Sequence, residues 1–146
     1  MARAQLHVHR YDARIYYADT DFSGVVYYGR YLEFLERGRS DLLRACGITH
    51  RELLSGSPTS GGLPLAWVVR RLVIDYRGSA RIEDMITVRT SVLEARGARL
   101  AMKQSITLHE RVILDATVEA ALVTMQGRPF RLPKPWLSKF EEHFAD

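Results

Sequence analysis

The chain has 146 residues, 47% hydrophobic and 26% charged, with a formal charge of +4; this suits one domain, 1–146, and no apolar run approaches the roughly 20 residues of a membrane span. The lone Cys46 excludes an internal disulfide framework or a multi-cysteine metal site, and Met1–Arg10 lacks the continuous apolar core of a secretory signal, so a cytoplasmic location is the default expectation. The positive excess is scattered as arginine, with only three lysines and no basic block; that argues against a nucleic-acid surface and leaves guanidinium groups for a phosphorylated small molecule.

Leu6 to Tyr17 reads as a first strand, with Val8, Tyr11, Ile15 and Tyr17 in imperfect alternation. Ala18 to Gly29 reads as a loop. Arg30 to Cys46 reads as a helix, because Tyr31, Phe34, Leu35, Gly38, Leu42 and Ala45 recur on one stripe. Glu33 and Arg37 stand one turn apart for an exposed pair. Gly38 on the apolar stripe costs about 1 kcal/mol of helix propensity, which implies that another element packs closely against it. Gly47 suits a helix C-cap. Thr49 to Leu54 predicts a short second helix, with Thr49 and Glu52 at capping-box spacing. The Ser55–Pro64 stretch is a flexible loop by composition, placed to act as a lip over a site.

The periodicity then changes to that of strands, at Leu65 to Tyr76, Asp84 to Glu94, Ala98 to His109 and Val112 to Met125. Hairpin turns fall at 96–98 and 109–111. The tail from Gly127 carries three prolines, then a short amphipathic helix that packs down Trp136, Leu137 and Phe140. The order is strand, helix, four strands. One helix covers one face of a five-stranded antiparallel sheet, and the sheet edges still need covering, which a chain of this kind achieves by dimerising.

The junction between the first strand and the helix carries the chemistry. Asp19 and Asp21 stand just before a helix start, with Gly24 and Gly29 loosening the backbone beside them. A carboxylate there can share a substrate carbonyl with the helix N-terminus, whose free N–H groups and dipole favour negative oxygen.

The run from Tyr17 to Arg37, with Asp-x-Asp, two residues, Gly-Val-Val-Tyr, then Tyr and Glu in the helix, resembles the hot-dog-fold acyl-CoA thioesterases of the 4-hydroxybenzoyl-CoA thioesterase type. The nearest branch is similar to the short bacterial enzymes associated with the Tol–Pal system. Val68–Tyr76, Ala80–Asp84 and Gly127–Pro133 support the likeness, which spans Tyr11 to Pro133. Two positions depart from it: Tyr28 stands where His is common, and Ser79 where Pro is usual. The resemblance implies an α+β hot-dog fold, with a five-stranded curved antiparallel sheet wrapped around one long central helix. It also implies a homodimer or homotetramer with sites at the subunit interface, an acyl-CoA substrate, and no metal or redox cofactor.

By the same resemblance Asp21 is the catalytic carboxylate, attacking the thioester directly or activating a water. The backbone N–H of Tyr28 polarises the carbonyl, a role the phenol does not enter. Asp19 orients the loop, and Gly24 supplies a backbone shape that a side chain would block. Glu36 either hydrogen-bonds the loop or a water, or pairs with Arg37 or Arg39. Arg70, Arg71, Arg96 and Arg99 are candidates for the coenzyme A phosphates, or simply surface charge. The five histidines lack metal-ligand spacing. A second reading is a non-catalytic hot-dog protein that binds acyl-CoA or acyl carrier protein. A hydratase is the weaker third, because no His lies between His9 and His50.

Overall fold

A computed structural model describes residues 7–145. Five strands form one antiparallel sheet: β1 (His9–Arg14), β2 (Leu65–Tyr76), β3 (Met85–Arg96), β4 (Arg99–Leu108) and β5 (Arg111–Thr124), in the order β1-β3-β4-β5-β2. Three helices accompany it: α1 (Tyr28–Ala45), α2 (His50–Ser55) and α3 (Lys134–Glu141). The strand–helix–four-strand order expected from periodicity is the observed one, and the architecture is the five-stranded α+β hot-dog arrangement.

β1 is shorter than the predicted strand. Leu6 lies outside the described residues, and Tyr17 belongs to a 3-10 turn, Tyr17–Asp19. Pairing with β3 begins at Arg14 opposite Met85; beyond it, the Ile15 N–H donates to the Asp84 carbonyl at 2.8 Å and the chain turns away.

β4 shows why the sheet has two unlike faces. Its burial alternates, with Leu100, Met102, Gln104, Ile106 and Leu108 inward and Arg99, Ala101, Lys103, Ser105 and Thr107 outward. α1 lies across the inward face, burying Tyr31, Phe34, Leu35, Gly38, Leu42 and Leu43. Ala45, expected on that stripe, is exposed, and Leu43 and Cys46 are buried instead. The 3.6-residue repeat carries the stripe from Leu42 to Cys46, one turn on. Glu33 pairs with Arg30 rather than with Arg37.

The close approach implied by Gly38 is present. A Cβ there would lie 2.5 Å from Val88 Cγ1 and 3.3 Å from Gln104 Nε2. Gln104 is fully buried, and each end of its amide is used. Its Nε2 donates to the Leu35 carbonyl and to Thr90 Oγ1, both at 3.0 Å, and its Oε1 accepts from Arg39 Nη1 at 3.0 Å. α1 closes in a Schellman motif: the Ile48 N–H donates to the Leu43 carbonyl at 2.8 Å and the Gly47 N–H to the Arg44 carbonyl at 2.9 Å. Gly47 takes φ +79°, and Ile48 is buried with Leu43 in one cluster.

α2 starts at His50, with Thr49 Oγ1 accepting from the Glu52 N–H at 3.3 Å. α3 seats Trp136 and Phe140 at the end of the core, with Leu137 partly buried beside them. The chain beyond α3 runs along β3, where the Val92 N–H donates to the His143 carbonyl at 2.7 Å.

β2 is an outer strand with a register shift between Val69 and Arg71, a bulge that leaves Val68, Val69, Arg70 and Arg71 all exposed. The β4–β5 turn places His109 at φ +50° and Glu110 at φ +65°, the backbone of a type I′ turn, with no glycine. By contrast, Gly97 supplies the positive φ of the β3–β4 turn.

Candidate active site

The segment between β1 and α1 is a short loop closed on itself. Thr20 and Val26 form a bridge, the Asp21 N–H donates to the Val25 carbonyl at 2.9 Å, and the Gly24 N–H to the Asp21 carbonyl at 3.2 Å. The loop is strapped to the residues before β3 by Val26 N–H to the Ala80 carbonyl, 3.0 Å, and Ile82 N–H to the Gly24 carbonyl, 2.9 Å. Gly24 sits at φ +83°, while a Cβ there would meet nothing closer than 3.6 Å. The demand for glycine is therefore conformational rather than steric.

That geometry fixes the Asp21 carboxylate through one oxygen. Oδ1 accepts from the Ser23 N–H at 2.8 Å, from Ser23 Oγ at 2.6 Å and from the Val25 N–H at 3.3 Å. Oδ2 accepts no hydrogen bond among the described residues. The Ser23 hydroxyl, and after it the Ser23 N–H, hold the Asp21 pKa below the ordinary carboxylate value. The group is thus ionised at neutral pH, oriented by Oδ1, with Oδ2 uncommitted.

α1 begins seven residues later, at Tyr28. Its N-cap is Tyr27, whose side chain makes no capping hydrogen bond, and its first turn holds no acid. The Arg30 N–H donates back to the Tyr27 carbonyl at 3.0 Å. The N–H groups of Tyr28 and Gly29 donate to nothing among the described residues, and they keep the affinity for negative oxygen of an uncapped helix start. The Tyr28 ring packs edge-on to Tyr76, centroids 5.1 Å apart, and Tyr76 Oη donates to the Tyr28 carbonyl at 3.2 Å. The side chain is used for packing while the backbone N–H stays free.

Asp19 serves the loop. Its Oδ2 accepts from the Tyr16 N–H at 2.9 Å, and its Oδ1 lies 3.4 Å from Arg30 Nε. Arg30, which no sequence pattern singles out, ties the region together. It donates to the Ala18 carbonyl at 2.8 Å, pairs with Glu33 and lies 5.5 Å over the Tyr27 ring. The one trace of this in the sequence is its pair of acidic neighbours, Asp19 before and Glu33 after. Its buried Nε is within ion-pair range of Asp19 but is not aligned for a hydrogen bond.

Glu36 is not brought to the loop. Eight residues along α1 from Tyr28, about 12 Å, it accepts from Ser40 Oγ at 2.7 Å, and Ser40 Oγ lies 2.9 Å from His50 Nε2. With its one proton on Glu36, Ser40 accepts from His50, which fixes α2 against α1. Neither Arg37 nor Arg39 pairs with Glu36 among the described residues.

The four arginines gather at the other end of the sheet. Arg70, Arg96 and Arg99 line a groove of about 380 Å³ beside Gly97, and Arg71 and Arg99 line a second one of the same volume with Glu94 and Glu119. Arg99 Nε is 2.6 Å from Glu119 Oε1, whereas Arg70, Arg71 and Arg96 have no carboxylate within 4 Å among the described residues. β3 runs from the Asp21 loop towards these grooves over 12 residues, about 40 Å at strand rise. Within one chain the carboxylate and the arginines stand apart.

Comparison with known proteins gives this geometry a family context. The family model described as the thioesterase superfamily matches residues 23–120. An acyl-CoA thioesterase YbgC of Haemophilus influenzae is 38% identical over 125 residues, 85% of this chain and 88% of its own. An acyl-CoA thioester hydrolase YbgC of Escherichia coli is 33% identical, covering 91% of this chain and 96% of its own. Among solved structures, a probable thioesterase from Bartonella henselae is 45% identical, with a TM-score of 0.82, covering 87% of this chain and 100% of its own.

Proposed function

Because the chain belongs to the thioesterase superfamily, we propose that it is an acyl-CoA thioester hydrolase, converting an acyl-CoA and water to a carboxylic acid and free coenzyme A. The observation that carries this is the pairing of a carboxylate held by one oxygen with an uncapped helix start. Asp21 Oδ2 attacks the thioester carbon or takes a proton from the attacking water. The Tyr28 N–H receives the developing oxyanion, and loss of one such donor typically costs about 3 kcal/mol. Collapse of the tetrahedral intermediate breaks the carbon–sulfur bond and expels the coenzyme A thiolate, which takes up a proton; on the direct-attack route water then hydrolyses the Asp21–acyl anhydride to the carboxylic acid and restores Asp21.

The working unit is a homodimer, with the homotetramer as its further assembly. β2 is a twelve-residue outer strand exposing Val68, Val69, Val73 and Tyr76, an edge that natural proteins cover. Two copies pairing β2 antiparallel satisfy a two-fold axis. That pairing sets the arginine end of one subunit beside the Asp21 loop of the other. Arg70, Arg71 and Arg96 then reach the coenzyme A phosphates, or those of an acyl carrier protein's arm, from across the interface. Arg99, already held by Glu119, contributes less.

Thiol release over a panel of acyl-CoAs tests the reading, with Asp21→Asn alongside. Wild type releases thiol and the variant, folded, is slower by at least about a thousand-fold. Near-normal turnover in Asp21→Asn removes Asp21 from the chemistry. Tight coenzyme A binding without release from any thioester favours the non-catalytic binding reading.

A further inference from the structure

The first turn of α1, Tyr28 to Tyr31, carries the free N–H groups, and two of its side chains reach back to the loop that carries Asp21. They hold that loop at opposite ends. Arg30 donates to the Ala18 carbonyl, twelve residues earlier, and stands within ion-pair range of Asp19, so it grips the chain just before Asp21. Tyr31 acts on the chain just after Asp21, through a single peptide. Its Oη accepts from the Ala80 N–H at 2.9 Å, and the Ala80 carbonyl accepts from the Val26 N–H at 3.0 Å. Tyr31 is 2% exposed and Ala80 is fully buried, so water competes little for either bond.

Neither side chain is what the helix alone asks for. A cation in the first turn of a helix opposes the dipole, and Arg30 is kept there by Glu33 and Asp19. A phenylalanine would fill the Tyr31 position with the same ring and no hydroxyl to desolvate. Tyr76 adds a third tie to the same turn. Its ring lies 6.0 Å from that of Tyr31, and its Oη donates to the Tyr28 carbonyl at 3.2 Å.

We propose that Arg30 and Tyr31 are positioning residues that hold the Asp21 carboxylate and the Tyr28 N–H at the separation the thioester needs. The inference rests on the hydrolase reading and deepens it. The Asp21 carboxylate is bound through Oδ1 by its own loop, so it moves as one body with that loop, and the anchors of the loop govern its aim. Displacement of a reacting group by about 1 Å can cost about a hundred-fold in rate. A loop freed at one end therefore loses turnover before the protein loses its fold.

Tyr31→Phe removes one hydroxyl and keeps the ring. Arg30→Gln removes the charge and the fork of donors from a side chain that is 22% exposed, so one variant reports if the other fails to fold. Phe140→Leu, in the other core cluster, controls for lost stability alone. Two readouts are taken well below each melting temperature: hydrogen exchange at the amides of residues 20–26, and steady-state thiol release from one acyl-CoA. Tyr31→Phe and Arg30→Gln speed exchange across the loop at least about five-fold and lower kcat about ten-fold or more, with KM within about two-fold. Phe140→Leu melts lower with both readouts unchanged. Wild-type kcat in either folded variant, a loss that falls on KM alone, or loop amides that exchange as in wild type overturns the proposal, as does an equal fall of kcat in Phe140→Leu. A wild type that releases no thiol from any acyl-CoA, with the loop loosened in both variants, sinks the hydrolase reading and leaves the two anchors standing.

Discussion

The two ends of α1 are built on opposite terms. At the C-terminus, Gly47 and Ile48 return their N–H groups to the last carbonyls, and Leu42, Leu43 and Cys46 are buried. At the N-terminus, Tyr27 offers no cap, two N–H groups go unused among the described residues, and Tyr28 is 73% exposed. One end has committed its polar groups to the fold, and the other leaves two N–H groups without a partner among the described residues. The lesson is that the proposed oxyanion site sits at the end whose donors have no better partner.

That contrast can be broken from either side. The largest effect on stability is expected from the middle of the satisfied half. Gly38→Ala drives a Cβ to 2.5 Å from Val88. Overpacking of this kind costs about 1–3 kcal/mol against a helix-propensity gain of about 1 kcal/mol. A melting temperature lower by several degrees, with kcat little changed in the folded fraction, is the expected result. At the other end, Tyr27→Asp supplies the missing cap. The melting temperature should rise, since such caps contribute about 0.5–2 kcal/mol. Turnover should fall about ten-fold or more, because the new carboxylate competes with and repels the oxyanion. A variant that is both stabler and fully active would show that the free N–H groups do not matter to catalysis.

The smallest effect is the most diagnostic of Asp21. Its pKa is depressed in the folded protein, so the active carboxylate is present above that value and lost as pH falls through it. The acid limb of kcat/KM should therefore lie below the ordinary Asp value of about 3.9. Ser23→Ala removes the hydroxyl that dominates the depression, and the limb should move up towards that ordinary value. An unmoved limb would mean that another group controls it.

Much of this is legible in the sequence. The sequence pattern places β2 to the residue, and β3, β4 and β5 to within two, because each is a run rich in β-branched and apolar residues bounded by glycine, proline or charged turns, and in β4 the alternation of one buried face adds to it. The close approach at Gly38 is legible because a glycine on an apolar stripe needs a reason. Leu43 and Cys46 escape the pattern because a stripe drawn from Tyr31 drifts by a residue over four turns, and Ala45 fits its spacing just as well. Arg30 is only faintly legible: the Glu33 pairing has helical spacing, but the bonds that tie Arg30 to the loop go to the Ala18 carbonyl and to Asp19 in a 3-10 turn, which leave no periodic trace. Glu36 and Ser40 stand one helical turn apart, but the Ser40–His50 contact depends on how the turn at Gly47 brings α2 back against α1. Spacing along the chain does not encode that. At the Asp21 loop the motif locates the carboxylate, but not that one oxygen is bound three times and the other left free.

The turn between β4 and β5 bears on how this sheet assembles. His109 and Glu110 both adopt backbone that side chains resist, each at a cost of about 1–2 kcal/mol. The β3–β4 turn draws on Gly97 instead. A hairpin that must strain to close gains little from forming alone, so β3 and β4 are the pair to zip first. β5 then joins once Leu114, Val118 and Leu122 have a surface to bury against, and only afterwards does β2 have a strand to pair with. The β2 edge is thus the last part of the sheet to form. A chain halted before that step ends its sheet at β5, an unpaired edge, and Asn-Gly in place of His109-Glu110 would let the β4–β5 hairpin close as readily as the β3–β4 one.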